Sequence, residues 1–250
     1  MDTKENNFIP SIFNYCDRWC EHCDYTERCR LFSMENKRKD DGDYPDVNNM
    51  DEVTKEVQKS FVETLRMIQE YAAKFNIDLS SIEEIHDREQ QGTPLSFFAA
   101  KYFQDASGYL KKLREEIKSR SLENAALSSI IPGNMGINEI TGILECFEII
   151  QWYHTMIPVK IERANSSSAD INDKDKEEAE FAKYDTDGSA QVAYKSILKS
   201  MTALGMVHGW TENLKEETLN LIIDAGRIKN LIEKDFPGAL TFIWPPEEKE

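Results

Sequence analysis

The stretch Ile140-Thr141-Gly142-Ile143-Leu144-Glu145-Cys146-Phe147-Glu148-Ile149-Ile150-Gln151-Trp152-Tyr153-His154-Thr155-Met156-Ile157-Pro158-Val159-Lys160-Ile161 decides the fold class of this 250-residue chain. Ile140, Leu144, Phe147, Ile150, His154, Ile157 and Ile161 recur at steps of three and four. That spacing lines one face of a helix and excludes the two-residue alternation of a half-buried strand. A long helix is expected from Asn138, kinked at Pro158, where the missing N–H removes a backbone bond. Cys146 sits inside the apolar stretch and reads as a small core residue.

The same period continues on both sides. Val53, Val57, Phe61, Leu65, Ile68, Ala72 and Phe75 predict a helix over about 48–76. Ser80 and Glu83 have capping-box spacing for a short helix. Thr93-Pro94, an N-cap followed by proline at the first helical position, opens a helix carrying Phe98, Tyr102, Ala106, Tyr109, Leu113 and Ile117. Ile131-Pro132-Gly133-Asn134 is a break. Two more helices follow. One starts near Ser189 with Ala193, Ile197, Met201, Leu204 and His208. The other is capped at Thr211, carries Leu214, Leu221, Ala225, Ile228 and Ile232, and stops at Phe236-Pro237-Gly238. Only the tail from Leu240 to Trp244 has a β pattern. Five amphipathic rods must bury their stripes against one another, so the expected fold is all-α, an antiparallel helical bundle.

Residues 164–188 are polar and acidic, and composition predicts a solvated insertion there, with room for a short helix around Glu177 to Tyr184. Asp185-Thr186-Asp187-Gly188-Ser189 resembles the opening of a calcium loop. Such a loop needs glycine at its sixth position and glutamate at its twelfth, where the chain has Ala190 and Ser196. The stretch therefore reads as a turn and N-cap.

The chemistry is concentrated near the N-terminus. Cys16, Cys20, Cys23 and Cys29 lie within fourteen residues at the spacing C-x3-C-x2-C-x5-C. If residues 14–23 were helical, Cys16, Cys20 and Cys23 would share one face, and a bend would bring Cys29 across to complete a four-thiol cage for one soft metal centre. Two occupants suit four thiolates: an iron–sulfur cluster of the [4Fe-4S] type, or zinc in a purely structural role. Arg18, Arg28 and Arg30 supply positive charge that favours the ionised thiol. His22 is a further possible ligand. The polar run Asp40-Asp41-Gly42-Asp43-Tyr44-Pro45 suggests a boundary between a metal-binding segment, residues 1–45, and a helical bundle, residues 46–250.

A second, weaker site is suggested by Glu83-Glu84-Ile85-His86, one copy of the Glu-x-x-His pair that dimetal bundles use twice, with Glu145, Glu148, His154 and His208 as further donors. The bland reading of His154 and His208 is core packing. No P-loop, dinucleotide glycine motif, nucleophile elbow or His-Glu-x-x-His is present, and no catalytic residue is assigned.

Charge narrows the partners. The net charge is -16, and because residues 1–39 hold seven Lys/Arg and seven Asp/Glu, residues 40–250 carry all of it. Such a surface repels nucleic acid and anionic lipid, leaving another protein as the expected partner. No signal-peptide pattern or apolar run of membrane-spanning length appears, so a cytoplasmic protein is expected.

Three resemblances attach to these residues. Cys20, Cys23 and Cys29 resemble the cluster motif of DNA glycosylases of the endonuclease III type. The first spacing is x3 where that family has x6, and no helix-hairpin-helix glycine motif accompanies it. Cys16, Cys20 and Cys23 resemble the motif of radical S-adenosylmethionine enzymes, but the alternating strands and helices of their barrel are missing. Phe13-Asn14-Tyr15-Cys16-Asp17-Arg18-Trp19-Cys20-Glu21-x-Cys23, the stretch 185–190 and Phe236-Pro237-Gly238-Ala239 are together similar to a family of uncharacterised bacterial proteins. That resemblance implies a bacterial origin and brings no activity. The expected function is a redox-responsive or electron-carrying binding module with an iron–sulfur centre. The alternatives are an interaction scaffold with structural zinc and, more distantly, a ferritin-like dimetal oxidase.

Overall fold

The structure, a computed structural model, describes residues 7–10, 12–40, 42, 49–75, 92–128, 136–171 and 176–245. The short helix expected at Ser80, with Glu83 and His86, and the break at 131–134 lie outside them. Among the described residues the α-helices are α1 (Arg30–Asp40), α2 (Met50–Phe75), α3 (Pro94–Ser128), α4 (Gly136–Asp170), α5 (Lys176–Trp210) and α6 (Lys215–Asp235). There is no strand among the described residues, and the tail instead forms a 3-10 turn at Pro237–Leu240. Among the described residues no helix is long and apolar enough to cross a membrane.

The helices form two compact units, Met1–Pro10 with Cys20–Gln91, and Ser11–Trp19 with Gly92–Glu250. The chain does not divide at the polar linker near residue 45. Instead α2 groups with the turns that carry Cys20, Cys23 and Cys29, while the first cysteine, Cys16, belongs to the larger unit.

In the larger unit α3 packs against α4 and α6, and α5 packs against the same two helices, closing a ring of four. Neighbours run antiparallel. Between α3 and α6, Lys101 meets Asp224, Tyr109 meets Thr218 and Lys112 meets Glu217, so rising numbers face falling ones. Between α4 and α5, Cys146 lies near Met206 and Arg163 meets Asp185, again from opposite ends. Tyr102, Leu113, Ile150, Ile157, Ile161, Ile197, Leu204, Ile228 and Ile232 are fully buried at the centre. Burying each aliphatic side chain contributes roughly 1.5–3 kcal/mol. Cys146 is part of this core.

The helix starts follow the expected chemistry. Thr93 Oγ1 accepts the Ser96 N–H at 3.0 Å, capping α3, and Thr211 Oγ1 accepts the Leu214 N–H at 3.1 Å ahead of α6. Arg120 seals that second corner, its guanidinium lying 4.1 Å from the Trp210 ring centre and bonding Glu116 at 3.0 Å.

Three expectations differ from the structure. Residues 164–188 are not a solvated insertion: α4 runs on past Pro158 to Asp170, α5 starts at Lys176, and Asp185, Thr186, Gly188 and Ser189 are buried in mid-helix. Thr186 bonds the Ala182 carbonyl at 2.8 Å, and Asp185 is neutralised by Arg163. Residues 185–189 are therefore helix interior and not a turn. His208 is half-exposed, whereas His154 is buried, stacked on Phe103 and bonded through Nδ1 to the Gln151 carbonyl at 2.7 Å. Lastly, the apolar stripe of α2 is only partly buried: Ala72 is buried, whereas Val57, Phe61, Leu65 and Ile68 are exposed.

Candidate functional site

The motif that dominates the sequence is shared between the two units. In the larger one, Ile12–Tyr15 forms a 3-10 turn, and no α-helix spans 14–23. Arg18 adopts the left-handed conformation with φ 59°. A non-glycine residue takes that conformation only where its surroundings hold it, and it breaks any helical phase between Cys16 and Cys20.

What holds it is visible in the side chains on either side. The Tyr15 hydroxyl donates to Asp185 at 3.0 Å, and the same carboxylate accepts Arg163 Nε at 3.1 Å and Ser167 Oγ at 2.6 Å. The Tyr15 ring contacts Tyr184, Phe242 and Trp244 edge-on. Trp244 Nε1 in turn donates to the Ile12 carbonyl at 2.9 Å. The Asp17 carboxylate accepts Tyr153 at 2.6 Å and Lys199 at 3.0 Å, and Trp19 stacks on Trp152. Tyr15, Asp17 and Trp19 thus dock the segment on α4 and α5. Gly188 makes the approach possible, since a Cβ there would lie 2.6 Å from the Tyr15 ring.

The electrostatics follow from burial and pairing. Burial alone would raise Asp185, but its bonds to Arg163, Ser167 and Tyr15 hold it below the usual carboxylate range. Asp17 is lowered in the same way, burial being outweighed by Tyr153 and Lys199. Lys160, buried, donates to the Asn14 carbonyl at 3.4 Å and is pushed down by desolvation and by Arg163. Burial raises the Cys16 thiol, which points to the Phe13 carbonyl at 3.5 Å, and Arg18 opposes that rise only in part. At Cys16, therefore, the expected dominance of neighbouring positive charge gives way to desolvation.

In the smaller unit Cys20–His22 and Thr26–Arg28 are 3-10 turns and α1 follows. The Cys23 N–H bonds the Cys20 carbonyl at 3.2 Å, and Cys23 Sγ accepts the Tyr25 N–H at 3.4 Å. Arg28 is turned to the Asn7 carbonyl at 3.3 Å. His22 is exposed.

None of the five cysteines is in a disulfide, and the four of the motif are half-buried. No known protein family, curated protein or solved structure matches the chain. The donor chemistry suits a soft metal, but among the described residues no three His, Cys, Asp or Glu side chains are gathered to hold one. This applies equally to Glu145, Glu148, His154 and His208. Sequence reasoning found the cysteines and missed the docking role of Tyr15, Asp17, Lys160 and Arg163. The cue was faint: the pattern Tyr15, Asp17, Trp19 at every second residue.

Proposed function

We propose that this is a cytoplasmic metal-binding helical protein whose Cys16, Cys20, Cys23 and Cys29 take an iron–sulfur centre, and that it acts as a redox-responsive or electron-carrying module for a partner protein. The reading rests on one observation: four cysteines within fourteen residues, none in a disulfide, one of which accepts a backbone N–H at sulfur. Structural zinc would use the same thiolates, and the two differ in what accompanies the metal.

Elemental analysis and visible absorbance of anaerobically purified protein decide between them. Iron and sulfide in equal amounts with broad visible absorbance are expected. Zinc without colour selects the scaffold role, and the lack of any stoichiometric metal refutes the proposal. Cys20→Ser with Cys23→Ser should abolish metal content while far-UV helicity is retained, because the four-helix core closes without these residues.

A further inference from the structure

We propose that the C-terminal tail, residues 241–244, is a latch that holds the Cys16-bearing segment against the bundle and so limits access to the Cys16 thiol. Ile12–Tyr15 is a single 3-10 turn, too short to be stable by itself, so its order depends on what it packs against. Both Ile12 and Tyr15 are buried. Among the described residues three aromatic rings meet the Tyr15 ring edge-on, and two of them belong to the tail: Phe242 at 5.4 Å and Trp244 at 5.0 Å between ring centres. Trp244 also bonds the Ile12 carbonyl, so the tail grips both buried residues of the turn.

The tail has its own anchor on α5. The Gln191 side-chain amide donates to the Ala239 carbonyl at 3.2 Å and to the Phe242 carbonyl. One residue of α5 makes way for both parts of the latch, since a Cβ on Gly188 would lie 2.6 Å from Tyr15 and 2.9 Å from Phe242. Within the tail the side chains alternate: Phe242 and Trp244 meet Tyr15, and Ile243 between them is 62% exposed. The alternation that reads as a strand in the sequence therefore aims two rings inward without a strand partner.

Cys16 follows Tyr15 directly and is half-buried. On its other side Asp17 and Trp19 are held by Tyr153, Lys199 and Trp152, so the latch secures one of two anchors. A thiol in such a segment reacts through transient local opening, at a rate that follows the open population. Loss of two ring contacts and one hydrogen bond should raise that population by about tenfold or more. The latch does not rest on the metal reading, because its readout is the reactivity of the thiol itself.

Timed alkylation of the full chain, reduced and treated with chelator, with peptide mapping by mass spectrometry, tests this. Phe242→Ala with Trp244→Ala should label Cys16 about tenfold faster or more, with Cys146 unchanged as the internal control. Trp244→Phe, which keeps a ring and loses the hydrogen bond, should fall between, and the exposed Ile243→Ala should have no effect. In a Tyr15→Ala background the tail substitutions should add little, because the ring they act on is gone. An unchanged Cys16 rate in the double variant, an equal acceleration at Cys146, or a full further effect in the Tyr15→Ala background would each overturn the proposal.

Discussion

The Tyr15 hydroxyl donates to the Asp185 carboxylate at 3.0 Å across 170 residues of sequence. This bond joins the Cys16-bearing segment to the middle of α5, and Arg163 and Ser167 complete the carboxylate's shell. Tyr15→Phe is expected to cost about 1.5 kcal/mol, since two donors remain on Asp185. Asp185→Asn should cost about 2 kcal/mol, less than for a fully buried pair because the Arg163 side chain is 42% exposed and reaches water. Denaturant unfolding of the two single variants and the double variant should be markedly non-additive, as for groups sharing one network.

Gly188 sets local preference against tertiary packing. Alanine in mid-helix gains up to about 1 kcal/mol in propensity. Its Cβ, however, would sit 2.6 Å from Tyr15 and 2.9 Å from Phe242, and overpacking of that kind costs about 1–3 kcal/mol. Gly188→Ala should therefore lower the melting temperature in the wild type. In a Tyr15→Ala background, where the two closest contacts are gone and only Phe242 at 2.9 Å remains, the same change should cost less than in the wild type.

Acid should loosen this clasp. Asp185 titrates lower in the folded chain than in the unfolded one, so its contribution is complete above the unfolded value of about pH 4 and is lost as pH falls through the folded value. Stability measured between pH 7 and 2 should drop below about pH 4, and Asp185→Asn should flatten the drop. An equally steep decline in that variant would assign the acid sensitivity to other carboxylates.

Thiol accessibility differs within the chain. Cys146 is 3% exposed, packed with its sulfur 3.7 Å from the Met206 sulfur, and burial pushes its thiol up. In reduced, metal-free protein it should be the last of the five cysteines alkylated, since access and thiolate character both limit reaction. Peptide mapping by mass spectrometry over time gives the order. Early labelling of Cys146 would show that α4 and α5 separate readily at that end.

The helical class, the N-caps at Thr93 and Thr211, the core role of Cys146 and the clustering of four cysteines are legible along the chain. These are local properties: a 3.6-residue period, a hydroxyl before a helix, and spacing along the chain. Only the tertiary structure decided which polar residues are buried. Asp185 and Ser189 look solvated in composition, yet both lie inside: Arg163, Ser167 and Tyr15 satisfy the Asp185 carboxylate, whereas the Ser189 hydroxyl is buried without a hydrogen-bond partner. Only the tertiary structure, likewise, placed Cys16 with the bundle and Cys20, Cys23 and Cys29 with α2, and left Val57, Phe61, Leu65 and Ile68 of the α2 stripe exposed. Periodicity shows that a face is apolar but carries no information on what covers it, because covering depends on contacts between residues far apart in the chain.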